Sequence, residues 1–135
     1  MKKDIKGYAG LEYITLSVPV RQTKHGEVID AKLESIERAI AEKIILEHVP
    51  VRGGEVKFLR KLLGMSLNDF GSKFGLTSTG VLKWEKEPQK YIGRMNELGV
   101  RMLVIELLRI QGAATGFSDL VQDRPAPIHL TVKVA

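Results

Sequence analysis

The first fifty residues alternate between apolar and polar positions and then change to a helical period. Apolar residues occupy every second position over residues 14–20, which predicts a strand with one buried face. Because Pro19 has no backbone N–H, we expect an edge strand or the end of a strand. Lys24-His25-Gly26 predicts a turn before a short return strand over residues 27–30. An amphipathic helix is expected over residues 32–47. Its apolar stripe is Leu33, Ile36, Ile40 and Ile44.

The pattern over residues 53–110 predicts four helices that are separated by capping and turn residues. Gly64 is placed to end the first helix in a left-handed conformation. Ser66 and Thr77 are expected to cap the second and third helices, with Gly75 in the turn between them. The predicted extents are about 55–63, 67–74, 78–86 and 90–110, where the last helix begins at Gln89 or Lys90.

Gly93 and Gly99 weaken the predicted fourth helix by about 1 kcal/mol each, which favours a bend or a close helix contact there.

The end of the chain combines a loop with a second alternating segment. Residues 111–127 are predicted to form a loop. The strict alternation over residues 128–135 then predicts a C-terminal strand, which must pair with the N-terminal strand or with a second subunit. The chain therefore divides into residues 1–50, 53–110 and 111–135, with Gly53-Gly54 in a linker and helix entry.

Composition and charge narrow the classes of function. The 135 residues are 44% hydrophobic and 27% charged, and carry a net charge of +5. Residues 52–109 hold 11 basic and 6 acidic residues, whereas both flanks are neutral, so the field that attracts polyanions comes from the central block. Cysteine is absent, which excludes disulfides and thiolate zinc sites. No signal peptide or membrane span is evident, so we expect a cytoplasmic protein without membrane contact.

The sequence offers little for catalysis or for cofactor binding. We find no nucleophile–base pair and no phosphate-binding loop of the Walker type. His25, His48 and His129 are scattered, and no two of them have metal-ligand spacing on one helix. We therefore expect no enzymatic activity, no cofactor and no metal.

The segment over residues 58–85 has the residues that two closely crossing short helices require. Gly71 is small enough for a close crossing, and Gly75 tolerates the positive φ of a tight turn. The segment resembles the Cro/cI-like (Xre) helix-turn-helix family. The matching residues are Leu63-Gly64-Met65-Ser66, Phe70, Phe74-Gly75-Leu76-Thr77, Val81 and Trp84-Glu85. The resemblance implies a mainly α fold, with a Cro/cI-like multi-helix domain, a small N-terminal β-hairpin plus helix, and a C-terminal β-strand.

The same resemblance implies sequence-specific binding of double-stranded DNA by a homodimer. Lys83 is the best candidate for a contact to guanine or phosphate. Arg60 is expected to pair with Glu85, as in similar families, and Trp84 to lie in the core. The family's Gln, Ala and Thr are replaced by Leu67, Gly71 and Gly80, which favours weaker DNA binding. The candidate DNA-contacting residues are Ser66, Asn68, Thr77, Ser78, Thr79, Gly80, Lys83 and Lys86.

A second resemblance, to the MqsA/YgiT-type antitoxins, covers nearly the whole chain. It rests on the order Gly10-Leu11, Val18-Pro19-Val20, Gly26-Glu27, Ile36-Glu37-Arg38-Ala39-Ile40 and Gly54-Glu55-Val56-Lys57-Phe58-Leu59-Arg60-Lys61. The family's Cys-x-x-Cys-Gly zinc motif is replaced by Gln22-Thr23-Lys24-His25-Gly26, so zinc is not expected.

The second resemblance implies an antitoxin of a type II toxin–antitoxin pair that represses its own operon and binds a cognate toxin. Two alternatives stay open. One is a toxin-neutralising interaction module with weak or vestigial DNA binding. The other is an ordinary phage-type repressor without a toxin.

Overall fold

The computed structural model describes residues 1–112 and 125–134. Within that part the chain is mixed α/β, with 43% helix, 25% strand, five helices and a four-stranded sheet. The prediction of a mainly α, Cro/cI-like fold is therefore wrong. The chain divides into two compact units, one formed by Met1–Lys43 with Pro127–Ala135 and the other by Ile44–Ala126.

The first unit contains a sheet built around one long strand. Its strands are β1 (Lys2–Tyr8), β2 (Leu11–Thr23), β3 (Gly26–Ile29) and β4 (Leu130–Lys133). One edge of β2 pairs with β1 in antiparallel orientation. The opposite edge pairs first with β4, parallel over residues 14–17, and then with β3, antiparallel over residues 20–23. The C-terminal strand thus pairs with an N-terminal strand, which was one of the two expected arrangements.

Pro19 lies within the central strand, so the prediction of an edge strand or strand end is wrong. The reason is that two partners share one edge of β2 with a junction at this residue. The N–H of Val134 donates to the Ser17 carbonyl at 2.8 Å, and the N–H of Asp30 donates to the Pro19 carbonyl at 2.8 Å. The missing N–H of Pro19 falls between these two ladders and costs no strand hydrogen bond. Besides the predicted apolar face, Tyr13 and Thr15 are buried on the other face, as befits a central strand.

Strand β1 was not predicted from the sequence. Its residues are mostly charged and exposed, so no apolar alternation marks it. It is joined to β2 by Ala9-Gly10, whose φ angles of 50° and 79° are both positive, as in the hairpin turns that match strand twist. This extra strand and the length of β2 turn the expected small hairpin into a four-stranded sheet, which is why the mainly α prediction fails.

Other predictions in the first unit are confirmed. Lys24 and His25 form the turn before β3, where the Thr23 hydroxyl donates to the Gly26 carbonyl at 2.7 Å. Helix α1 (Leu33–Leu46) forms where expected, although Leu33 itself is exposed. Residues 113–124 of the predicted 111–127 loop lie outside the described residues.

The second unit contains the other four helices of the described chain, α2 (Gly53–Leu62), α3 (Leu67–Ser72), α4 (Ser78–Glu85) and α5 (Arg94–Leu108). All four were predicted, but α5 starts later than expected, after Gly93 with a φ of 100°. The buried core of the second unit includes Val56, Leu59, Phe70, Val81, Val100 and Val104.

The Gly53-Gly54 pair is the start of α2, which confirms the predicted helix entry, whereas the linker part of that prediction is wrong because both glycines are helical. A Cβ added to Gly53 would lie 1.9 Å from the Trp84 carbonyl oxygen and 2.6 Å from that of Glu87. The N–H of Gly53 donates to the Lys90 carbonyl at 3.1 Å. The absence of a side chain therefore lets α2 begin directly against the C-terminal end of α4.

Candidate nucleic-acid interface

Helices α3 and α4 are joined by a turn that their own side chains and glycines define. The Ser66 hydroxyl accepts the Asp69 N–H at 3.0 Å, and the Thr77 hydroxyl accepts the Gly80 N–H at 3.2 Å. Both predicted N-caps are thereby confirmed. Gly75 has a φ of 70° in the turn, as predicted.

Gly71 allows the turn to pass directly over α3. The Leu76 N–H donates to the Gly71 carbonyl at 2.9 Å. A Cβ on Gly71 would lie 2.8 Å from the Leu76 carbonyl oxygen and 3.1 Å from Val81 Cγ2. The close crossing predicted from this glycine is confirmed. The alanine typical of the resembling family does not fit this turn as it stands.

One face of α4 is anchored to the interior of the second unit. Val81 is fully buried, and the Glu85 carboxylate accepts two hydrogen bonds from the Arg60 guanidinium, at 2.7 and 3.0 Å. A third guanidinium N–H of Arg60 donates to the Met65 carbonyl at 2.9 Å. The hydrogen bond to Glu85 raises the pKa of Arg60. The predicted pair is confirmed, and it fixes α4 on α2.

The opposite face of α4 carries the outer stripe, defined here as Thr79, Leu82, Lys83 and Lys86. These residues follow one another at spacings of three, one and three, so they lie on a single face of the helix. All of them are exposed. Neither lysine of the stripe makes an ion pair with a described residue. The outer stripe is therefore a polar and cationic surface with one leucine within it.

The predicted contact residues do not all belong to this surface. Thr79, Lys83 and Lys86 lie in the outer stripe, whereas Ser66 and Asn68 are exposed at the start of α3. Thr77 precedes α4 as its cap. Ser78 and Gly80 are half-buried in the first turn of α4.

The segment that follows α4 lines a cleft, and its residues were not among the candidates predicted from the sequence. Lys83, Trp84, Glu87, Lys90, Tyr91 and Ile92 line a cleft of about 270 Å³. Lys90 and Tyr91 were assigned to a long helix, which hid them as candidates. Trp84, predicted as core, is half-buried and also lines this cleft. Proline at position 88 and glycine at position 93 were the available signals that this segment is not helical.

Buried ion pairs remove equal numbers of positive and negative charges from the surface of the second unit, so its exposed surplus is carried mainly by lysines. Three carboxylates are withdrawn from the surface, each against an arginine. The pairs are Arg52–Glu55 at 2.9 Å, Arg60–Glu85 at 2.7 Å and Arg101–Glu97 at 3.5 Å. The lysines, in contrast, stay exposed. They are Lys57, Lys61, Lys73, Lys83, Lys86 and Lys90.

The pair of Glu97 and Arg101 on α5 holds the segment that enters α2. Glu97 accepts the Val51 N–H at 2.8 Å, and Arg101 donates to the carbonyls of Ile45 and Val49. Burial lowers the pKa of Arg101, and the charge of Glu97 opposes that shift. Burial and, to a smaller extent, Glu97 raise the pKa of Tyr91. The hydrogen bonds of Glu97 and Arg101 therefore fix the backbone of residues 45–51, which leads into α2.

The part of the chain that the structure describes contains neither a cluster of metal ligands nor a helix able to span a membrane. Within residues 1–112 and 125–134, no three histidine, aspartate or glutamate side chains are grouped as a metal site would require. In the same residues, no helix has both the length and the apolar character to cross a membrane. Comparison of the chain with models of protein families, with curated proteins and with solved structures gives no match.

Proposed function

We propose that this chain is a sequence-specific DNA-binding transcriptional regulator whose helix α4 enters the major groove. The observation that carries the proposal is the outer stripe, with Thr79, Lys83 and Lys86 exposed on one face of a helix that Arg60 and Glu85 hold by its other face. An α-helix with its side chains is about 10–12 Å in diameter, which suits the roughly 12 Å width of the major groove. The resemblance of residues 58–85 supports the same role.

The distribution of charge favours a nucleic acid as the partner. The exposed lysines of the second unit would neutralise phosphates and release counterions. Lys90 lies in the segment after α4, 3.6 Å from the Glu87 carboxylate, and its exposed ammonium group would contact the DNA backbone beside the groove. Such contacts fix the position of a protein on DNA, whereas the outer stripe would contact base edges.

The proposal includes a homodimer that represses its own operon. Met95 and Met102 are 67% and 54% exposed on α5, and their spacing of seven places them on one face of that helix. An exposed apolar face of this kind favours contact with a second copy. A dimer would present two copies of α4 to half-sites about 34 Å apart.

The antitoxin role is part of the proposal and concerns the first unit. Val28, Ile29, Leu33 and Ile128 are exposed apolar residues there, which favours a protein partner. The partner proposed is a toxin encoded beside this gene, and the whole assembly would act in the cytoplasm by binding and not by catalysis. A phage-type repressor without a toxin is the alternative when the neighbouring gene is not a toxin.

Binding to DNA selected from a random duplex pool, and to the region upstream of its own reading frame, tests the proposal. We expect a retarded band at about 50 mM salt, two chains per duplex, and affinity that falls steeply as salt rises. Lys83→Ala should weaken binding at least about fivefold, since a good base contact contributes about 1–3 kcal/mol.

Lys24→Ala is the matched control, because it removes the same charge from an exposed lysine in the turn before β3. It should change affinity less than about twofold. Equal losses for both variants would mean that binding depends on net charge alone. Absence of any DNA complex, together with capture of the neighbouring toxin, would favour the interaction-module alternative.

A further inference from the structure

One residue of the outer stripe has chemistry unlike that of its neighbours. Leu82 is 37% exposed, although it lies between Thr79 and Lys86 on the polar face of α4. Helix α4 already buries Val81 on its other face, so Leu82 is not needed for packing on that side. A single exposed leucine is ordinary on a protein surface. Leu82, however, lies among the proposed DNA contacts, where its apolar side chain would face the bases.

The major groove offers one apolar group that suits such a side chain. Among the edges of the four bases, only thymine presents a methyl group there, and apolar side chains contact it. Lys83 follows Leu82 directly, so its ammonium group and the leucine side chain would reach neighbouring parts of the same groove independently of each other. Lys86, one turn further along the helix, adds a second cation at the same surface.

We infer that Leu82 selects a thymine in each half-site by contacting its 5-methyl group, so that this residue determines part of the DNA sequence preference. The inference rests on the proposed function and assigns a base type to one position of the same surface.

The test removes the methyl group from the DNA and the side chain from the protein. Each thymine of the selected site is replaced in turn by deoxyuridine, and affinities are measured for the wild type, Leu82→Ala and Lys83→Ala. For the wild type, one thymine per half-site should lose about three- to fivefold on replacement, the change expected from one buried methyl group. Leu82→Ala changes both protomers of the proposed dimer, so on the unmodified site it should lose the product of two such effects, about ten- to 25-fold, and show no further loss with deoxyuridine.

Lys83→Ala is the matched control, since it should bind more weakly yet keep the response to deoxyuridine. Because Leu82 is only 37% exposed, Leu82→Ala should unfold at a somewhat lower temperature, yet thermal unfolding should show it folded where affinities are measured, which separates recognition from folding. A wild type that binds its site but responds to no deoxyuridine replacement overturns the inference alone, as does a response that persists in Leu82→Ala. A wild type that binds no DNA overturns the proposed function and this inference together.

Discussion

The two faces of α4 differ in what their side chains contact. On the inner face, Val81 is buried and Glu85 is bound by the guanidinium of Arg60. On the outer stripe, Lys83 and Lys86 are exposed and form no ion pair with any residue that the structure describes. Neighbours in sequence, such as Lys83 and Glu85, therefore have opposite roles.

This difference separates the residues that hold α4 in the fold from those that we propose to contact DNA. Charge on the inner face is compensated by a partner of opposite charge, so its removal leaves a buried group unsatisfied. Charge on the outer stripe is solvated, and its removal changes only the surface. Variants of the inner face should therefore alter the free energy of unfolding, and variants of the outer stripe should alter binding.

The largest effect is expected for Glu85→Ala, which strands the guanidinium of Arg60 in a mostly buried position. The loss should be about 3–5 kcal/mol in the free energy of unfolding. Urea unfolding followed by fluorescence measures it directly, since Trp84 is the single tryptophan and lies next to the substituted residue.

The control for this prediction replaces both charges. Arg60→Met with Glu85→Met should recover most of the lost stability, because an apolar pair of similar volume needs no compensating charge. Lys83→Ala should change the free energy of unfolding by less than about 0.5 kcal/mol. An equal loss for Glu85→Ala and Lys83→Ala would show that the two faces are not distinct.

A smaller loss is expected for Gly71→Ala, at the crossing of α3 and the turn. The new Cβ would lie 2.8 Å from the Leu76 carbonyl oxygen, which is backbone and cannot simply rotate away. Overpacking of this kind costs about 1–3 kcal/mol, more than the roughly 1 kcal/mol that alanine gains over glycine in a helix. The same urea titration checks this; an unchanged or raised midpoint would contradict the close crossing.

The smallest effect, of opposite sign, is expected for Gly80→Ala in α4. The nearest atom to its Cβ is Leu76 Cβ at 3.6 Å, an ordinary contact. The variant should therefore be more stable than the wild type by up to about 1 kcal/mol. Gly71→Ala and Gly80→Ala make the same chemical change in adjacent helices, so their opposite signs would sharpen the comparison. Destabilisation by both would mean that α4 is also tightly packed at Gly80.

Local signals predicted the second unit well. Caps, turn glycines and the apolar spacing of three and four act over a few residues, and they located α2, α3 and α4. The position of Gly53 against Trp84 was not predictable in this way, because the two residues meet only when α2 and α4 pack. Gly93 was a signal for the late start of α5, but the apolar spacing on both sides of Gly93 favoured the prediction of a longer helix.

The first unit was predicted less well because its stability depends on pairing between distant residues. Strand β1 carries no apolar alternation, and its turn, Ala9-Gly10, lacks the asparagine or aspartate that commonly marks a hairpin. The place of Pro19 in a central strand depends on β4, which comes far later in the chain. Of the eight predicted DNA-contacting residues, Thr79, Lys83 and Lys86 lie in the outer stripe, whereas Leu82 of that stripe and Lys90 in the following segment were not among the predictions.

The pairing of β4 with β2 has a consequence for the order in which the protein is made. Residues 44–112 emerge from the ribosome before β4, so the helices α2 to α5 can form while the Ile14–Ser17 edge of β2 is still unpaired. The contact between Thr15 and His129 spans 114 positions in sequence. Long-range closures of this kind are slow to form. During that interval the unpaired edge of β2 exposes backbone N–H and C=O groups, to which a chaperone or another chain can bind.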